Sequence, residues 1–230
     1  MKVINEYKVH DRMLIAVDCI IFGFDGKDLK ALLIKRGFEP GLGKWSLMGG
    51  FVNTKESIHD GASRILEMLT GLTNIYMEQL YCFGDVERDP ADRVISIAYF
   101  ALIKLDDYKS EIMKEHNAKW FNIRHVPSMI FDHKKMILMA KESLRQKVAT
   151  HPIGFELLPE KFTLAQLQNL YETIYETTFD KRNFLRKILS LDILRKLNEK
   201  EKFLSKRGSF YYTFDYEKYK KLEREGLKFI

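Results

Sequence analysis

The sequence predicts two domains in tandem: a mixed α/β (α+β) domain over residues 1–152 and a smaller α+β domain over residues 153–230. Three observations predict it. Val17 to Phe24 is an unbroken apolar run, and Leu29 to Ile34 returns after the turn Asp25-Gly26-Lys27-Asp28, as buried strands do. Residues 57–69 carry a helical pattern that stops at Gly71. After the break at His151-Pro152-Ile153-Gly154, two short amphipathic helices are followed by two strand-like segments.

Between these landmarks the elements follow in order. Lys35 to Lys44 is a loop containing three glycines and Pro40. Residues 77–87 and 93–105 read as strands joined by the polar turn Glu87-Arg88-Asp89-Pro90. Met136, Ile137, Ala140 and Leu144 give residues 133–149 a helical period. In the second domain Thr163-Leu164-Ala165-Gln166 is a capping box, and Leu167, Leu170, Tyr171 and Ile174 recur at three- and four-residue steps behind it. Asp180 is expected to cap a second helix, Lys181 to Leu189, with Phe184, Leu185 and Ile188 on its apolar face. Lys181, Arg182, Asn183, Arg186 and Lys187 lie largely elsewhere. The helical period fails at Asp192. Ile193 to Leu197 and Ser209 to Phe214 then read as strands, with Tyr216 to Leu222 as a closing helix. Two helices and a basic hairpin make a winged helix-turn-helix, in which the second helix enters the major groove.

Composition narrows the function. A hydrophobic content of 46% supports a packed core in a chain of 230 residues. No run of about 18 apolar residues is present, and Met1-Lys2-Val3-Ile4-Asn5-Glu6-Tyr7 lacks the apolar core of a signal peptide, so a cytoplasmic protein with no membrane partner is expected. Cys19 and Cys82 lack metal or redox spacing and read as reduced thiols. The net charge is +6, and residues 180–207 alone hold ten basic and four acidic side chains. Such concentration points to a polyanionic partner.

The first domain carries a motif with a defined chemistry. Gly50, Glu56, Arg64, Leu66, Gly71 and Leu72 match the pattern G-x5-E-x7-R-E-U-x-E-E-x-G-U of the Nudix hydrolases, U being a bulky aliphatic residue. The remaining three glutamates of the pattern are replaced by Ile65, Met68 and Leu69. These positions stand at helical spacing i, i+3 and i+4 and so share one face. Magnesium wants oxygen ligands there, to neutralise a diphosphate and acidify the attacking water. Ile, Met and Leu supply none. Gly43-Lys44-Trp45-Ser46-Leu47-Met48-Gly49-Gly50-Phe51-Val52 resembles the family's run into the box, with Met48 in place of the usual proline. Arg88-Asp89-Pro90 with Val94 to Tyr99 resembles the ADP-ribose pyrophosphatase branch, and Trp120-Phe121 and Phe131-Asp132-His133 resemble the end of such a domain. The resemblance covers about residues 10 to 145 and implies a Nudix fold without its metal site.

Phe162-Thr163-Leu164-Ala165-Gln166-Leu167-Gln168, Leu170-Tyr171-Glu172 and Lys181-Arg182-Asn183-Phe184-Leu185-Arg186-Lys187 resemble the DNA-binding domain of the Nudix-related transcriptional regulators. Arg207-Gly208-Ser209-Phe210-Tyr211-Tyr212-Thr213-Phe214 resembles that family's wing, with an altered start. The resemblance implies a homodimer that binds a palindromic operator in double-stranded DNA. It also implies an effector in the Nudix pocket, ADP-ribose in regulators of NAD metabolism and a pentose such as L-arabinose in regulators of sugar use. The expected DNA contacts are Thr163, Lys181, Arg182, Asn183, Arg186, Lys187, Arg207 and Ser209.

The candidate effector residues are Asp18, Arg36, Lys44, Trp45, Glu56, Arg64, Asp85 and Arg88. The arginines and Lys44 suit a diphosphate; Lys44, Trp45, Asp18 and Asp85 suit the hydroxyls and ring face of a sugar. Loss of the box carboxylates favours the sugar, and hence a non-catalytic repressor of pentose, L-arabinose, utilisation with no cofactor and no metal. The alternatives are an ADP-ribose sensor and an active hydrolase whose metal site is rebuilt from Glu56, Glu67 and Asp85.

Overall fold

The computed structural model describes residues 7–105, 117–201 and 208–225. The predicted wing contact Arg207 lies outside the described residues.

The first domain is built on a seven-stranded mixed sheet. Strand β1 (Leu14–Phe24) is its centre because both faces of this strand are apolar. It pairs antiparallel with β2 (Leu29–Lys35) and β4 (Met48–Phe51), and parallel with β6 (Val94–Leu102). Strand β5 (Tyr76–Phe83) continues beyond β6; β3 (Trp45–Ser46) and β7 (Ala118–Asn122) pair with β2. Alternation along β1 assigns its side chains to two cores. Val17, Cys19 and Ile21 pack with Ile65, Leu66 and Leu69 of helix α1 (Ile58–Thr70). Ile20, Phe22 and Phe24 join Met136, Ile137, Ala140 and Leu144 of α2 (His133–Thr150).

Helix α1 starts where Ser57 accepts a hydrogen bond from the Asp60 amide at 3.1 Å. It ends at Gly71, which takes φ 69° and donates its N–H to the Glu67 carbonyl at 2.7 Å. That left-handed turn is the one glycine makes without strain.

Two turns of 3-10 helix (Pro152–Leu157) lead into the second domain. There β8 (Phe162–Thr163), β10 (Ser209–Phe214) and β9 (Leu194–Glu201) form a three-stranded sheet beside α3 (Leu164–Tyr175), α4 (Lys181–Ser190) and α5 (Tyr216–Arg224). Both predicted caps are present. Thr163 and Gln166 close a reciprocal capping box on α3, and the Asp180 carboxylate accepts from the Asn183 amide at 2.8 Å on α4. The two domains share one apolar core. Phe155 stacks on Phe214 with ring centroids 4.4 Å apart, and Leu167, Leu170 and Tyr171 of α3 continue the cluster begun by α2. Among the described residues no helix is long and apolar enough to cross a membrane.

Candidate functional site

Two of the three positions at which the Nudix pattern carries glutamate are packing positions here. Ile65 is 1% and Leu69 7% exposed, both inside the core under β1, whereas Met68 is 57% exposed. The predicted shared face is therefore an arc whose edge, Met68, reaches solvent. Glu67 is exposed on the other side. Glu56 is engaged elsewhere. Its carboxylate accepts from Arg64 Nε at 2.9 Å and Arg64 Nη2 at 2.6 Å, and from the Asn53 amide at 2.7 Å. The Arg64 hydrogen bonds, followed by that of the Asn53 amide, hold its pKa down at about 2. Arg64 also donates to the Phe51 carbonyl at 3.1 Å. The pair is a clasp on the loop between β4 and α1. These residues do not suit a magnesium ion, and among the described residues no three His, Cys, Asp or Glu side chains converge as metal ligands.

A cleft nevertheless remains on the face of the sheet beyond β4. Asp18, Arg36, Phe38, Arg88, Phe131 and His133 are among its lining residues. Its floor is a buried polar cluster that adjacent segments bring together from four parts of the chain. Asp18 projects from the middle of β1 and accepts a hydrogen bond from Ser96 Oγ of β6 at 2.6 Å. A β-carbon at Gly49 would collide with this carboxylate and come within 2.7 Å of the Val17 carbonyl, so the close pairing of β4 with β1 requires glycine. Arg88, with a side chain 3% exposed, donates Nε and Nη2 to the two oxygens of Asp132 at 3.0 and 2.8 Å. The same Nη2 lies 3.6 Å from Asp18. Asp132 occupies the N-cap position of α2 but makes no side-chain bond to the helix amides.

His133 completes the floor. The Leu47 amide donates to its Nδ1 at 3.0 Å, which assigns the ring proton to Nε2, 3.6 Å from Asp18 Oδ1. Burial lowers its pKa against the opposing pull of Asp18 and Asp132, so the imidazole is neutral. Two carboxylates then flank one guanidinium, and the floor carries a net negative charge.

The mouth is different. Arg36 has no carboxylate partner among the described residues, and its Nε is buried without a hydrogen-bond partner. Its guanidinium lies 4.0 Å from the ring centroid of Phe38 and 5.6 Å from that of Phe131. An unpaired cation between two aromatic rings suits an anionic ligand that also has a flat ring.

Of the predicted effector residues, Asp18, Arg36 and Arg88 line this cleft. Lys44 is exposed on the preceding loop. Trp45 packs edge-on against Phe121 at 4.8 Å and belongs to the core beneath α2. Asp85 is exposed, and it is its backbone carbonyl that accepts from Arg93 at 3.3 Å and from the Arg88 amide at 3.2 Å. Glu56 and Arg64 form the loop clasp. Asp132, His133, Ser96 and the two phenylalanines were not predicted as site residues. In the sequence Phe131-Asp132-His133 reads only as a run that resembles the end of the domain.

The second candidate surface is α4. Lys181, Arg182, Asn183, Arg186 and Lys187 are all exposed, while Ile188 is buried and Phe184 and Leu185 are partly so. None of the four cations has an acidic partner among the described residues. Arg186 instead donates to Asn183 Oδ1 at 2.9 Å. On the hairpin, Lys196 of β9 stands 3.7 Å and Lys200 4.5 Å from the ring centroid of Phe210 on β10, which positions two more cations. Ser209 opens β10 and is partly exposed. Thr163 is the departure among the predicted DNA contacts. It is 4% exposed, its chain pairs with Tyr211, and its hydroxyl is engaged in the α3 cap. Its role is to start the helix.

Comparison with known proteins matches this arrangement. Residues 13–142 match the NUDIX domain family, and residues 154–214 match the NrtR DNA-binding winged helix domain. An ADPR responsive transcriptional repressor of Acinetobacter baylyi is 30% identical over 210 residues, which is 90% of this chain and 84% of that protein. An ADP-ribose pyrophosphatase of Methanocaldococcus jannaschii is 33% identical over 147 residues, 63% of this chain and 80% of that protein. Shewanella oneidensis NrtR in complex with a 27mer DNA superposes with a TM-score of 0.79 at 29% identity, covering 87% of this chain and 93% of that one. The NUDIX domain of the same protein in complex with ADP ribose gives a TM-score of 0.51 at 28% identity, covering 63% of this chain and 99% of that domain.

Proposed function

We propose, since the chain belongs to the NrtR-type family that joins a Nudix domain to an NrtR DNA-binding winged helix, that it is an ADP-ribose-responsive transcriptional repressor whose Nudix domain senses and does not hydrolyse. The observation that carries the reading is the pairing of a lost metal face with a retained cleft. Ile65, Met68 and Leu69 stand where magnesium ligands belong, yet the cleft keeps its buried floor and an unpaired Arg36 at its mouth.

The expectation of a pentose effector gives way here, and the ADP-ribose alternative replaces it. Its premise was that diphosphate recognition in this fold depends on the lost acids. Arg36 supplies the positive charge without them, and an unpaired cation beside the rings of Phe38 and Phe131 suits a diphosphate joined to a flat base better than a neutral pentose. The relatives, a repressor responsive to ADPR and a NUDIX domain in complex with ADP ribose, point the same way. Control of NAD metabolism is therefore preferred over sugar utilisation.

On the DNA side, Arg182, Asn183 and Arg186 are assigned to base edges and Lys181, Lys187 and the start of β10 to phosphates, as α4 would lie in a major groove. A homodimer would present two such helices about 34 Å apart to a palindromic operator in the cytoplasm. Effector control then requires that ADP-ribose bind the DNA-competent and DNA-incompetent forms unequally.

Calorimetric titration with ADP-ribose and with L-arabinose, both without metal, tests the reading. Saturable binding of ADP-ribose and none of arabinose is expected. Arabinose binding alone overturns it. Release of ribose 5-phosphate from ADP-ribose in magnesium would overturn the non-catalytic assignment.

A further inference from the structure

One continuous helix runs from the cleft to the end of α3, the helix that precedes α4. Helix α2 begins at the cleft floor, where Phe131 and His133 line the cavity and Asp132 is clamped by Arg88. Eight residues later, about 12 Å along the axis at the usual helical rise, Lys141 Nζ lies 2.7 Å from Glu176 Oε2. The other oxygen of the same carboxylate accepts from Arg124 Nε at 3.2 Å. Glu176 is the C-cap of α3, the helix that precedes the recognition helix.

The backbone at Glu176 makes this contact informative. Its φ of 53° and ψ of 40° are left-handed, the conformation in which helix ends ordinarily carry glycine. Local geometry thus disfavours a glutamate here. Its carboxylate reaching two cations of the first domain accounts for the choice.

The remaining contacts make α3 and α4 a single lever. Glu172 Oε1 accepts from the Phe179 amide at 2.9 Å, and Gln168 Nε2 donates to the Phe179 carbonyl at 3.1 Å, so the turn between the helices is tied to α3. Asn169 and Thr173, on the outer side of α3, donate to the carbonyls of Gly26 and Lys27 in the β1–β2 turn. Ala140, Leu144 and Val148 of α2 share a core with Leu167, Leu170 and Tyr171 of α3. A close-packed core passes a displacement on rather than absorbing it.

We infer that Lys141 and Glu176 are the positioning residues through which occupancy of the cleft sets the orientation of α4. The inference rests on the proposal that the cleft takes ADP-ribose. A ligand that contacts Phe131, or draws on the charges around Asp132, acts on the first turn of α2. The Lys141–Glu176 pair delivers that change to the end of α3, and the tied turn carries it to α4.

The test uses the full-length protein, ADP-ribose, and a duplex selected by the wild-type protein from a random-sequence pool. The coupling ratio is the DNA Kd with saturating ADP-ribose divided by the DNA Kd without it. Allosteric couplings are typically about 5- to 150-fold, in either direction. In Lys141→Met and in Glu176→Gln the ratio should move towards one by at least about fivefold, or reach it. The ADP-ribose Kd measured without DNA should stay within about twofold, because neither residue lines the cleft. The double variant should lose no more than either single one, and Lys141→Arg should restore the ratio. An unchanged ratio in Lys141→Met, which retains the apolar stem and folds independently of Glu176→Gln, overturns the inference. Wild-type protein that binds ADP-ribose without any change in DNA affinity also overturns it. Absence of ADP-ribose binding by the wild-type protein overturns the effector proposal itself, and the inference with it.

Discussion

Arg88 and Arg182 carry the same guanidinium into opposite circumstances. Arg88 lies under the cleft with its side chain 3% exposed, doubly bonded to Asp132 and facing Asp18. Arg182 stands exposed on α4 among three other cations, with no acid opposite any of them among the described residues. A buried charge persists only where its partners are already in place. An exposed cluster of one sign resists compaction slightly and gains only when a polyanion arrives. The cleft charges therefore belong to the fold first and to the ligand second, whereas the α4 charges belong to the partner.

This contrast can be broken most forcefully at Arg88. Arg88→Met leaves the buried Asp18 and the partly buried Asp132 without their cation and should destabilise the protein by about 3–5 kcal/mol in urea titration. A loss below about 1 kcal/mol, the size of a surface pair, would erase the distinction. On α4 the expectation reverses. Arg182→Ala and Arg186→Ala should each weaken operator binding by about 1–3 kcal/mol in gel-shift or anisotropy titration, with an unchanged urea midpoint. Equal binding by both variants would remove α4 from the groove. Thr163 sharpens the boundary between the two behaviours. As a cap, Thr163→Ala should cost about 0.5–2 kcal/mol of stability and leave the salt dependence of DNA binding alone; a salt slope reduced by about one would make it a phosphate contact instead.

The smallest effect lies in the Glu56–Arg64 clasp, which is bidentate like Arg88–Asp132 but open to water. Arg64 foremost, with the Asn53 amide, holds the Glu56 carboxyl at about 2, below its ordinary 4.5. A depressed carboxylate contributes stability above its unfolded value and loses it as the pH falls through the folded one. Melting temperatures of Glu56→Gln and wild type should therefore converge as the pH falls from about 4.5 to 2 and differ little more at pH 7 than at pH 5. A separation between the two curves that does not change across that window would mean the clasp is not formed.

Much of this was legible in the sequence because it depends on neighbours along the chain. The capping box at Thr163, the cap at Asp180 and the stop at Gly71 are all decided within four residues. Strand β1 was visible because it is apolar on both faces, although it begins at Leu14, three residues earlier than its most apolar stretch. Strands β3 and β4 were not visible. They are two and four residues long, and Gly49-Gly50 leaves no pattern to read; those glycines answer to Asp18 and Ile65, which are remote in sequence. Strand β9 runs on to Glu201 through charged residues because β10 pairs with it, not because its own sequence alternates. The site divides in the same way. Asp18, Arg36 and Arg88 were selected by residue type and lie in the cleft. Asp132 and His133 became part of it only through the packing of α2 against β1, and Trp45 left it because its ring turned towards Phe121.

The burial of Ile65 has a consequence for where this sequence can go. A β-carbon on Gly50 would sit 3.0 Å from its terminal carbon, and Leu69 occupies the same enclosed face. A glutamate restored at either position would enter apolar surroundings before any cation existed there to balance it. It would need the other two carboxylates of the pattern beside it before it gained anything. No single substitution at 65 or 69 therefore creates a metal site, and each one alone costs stability.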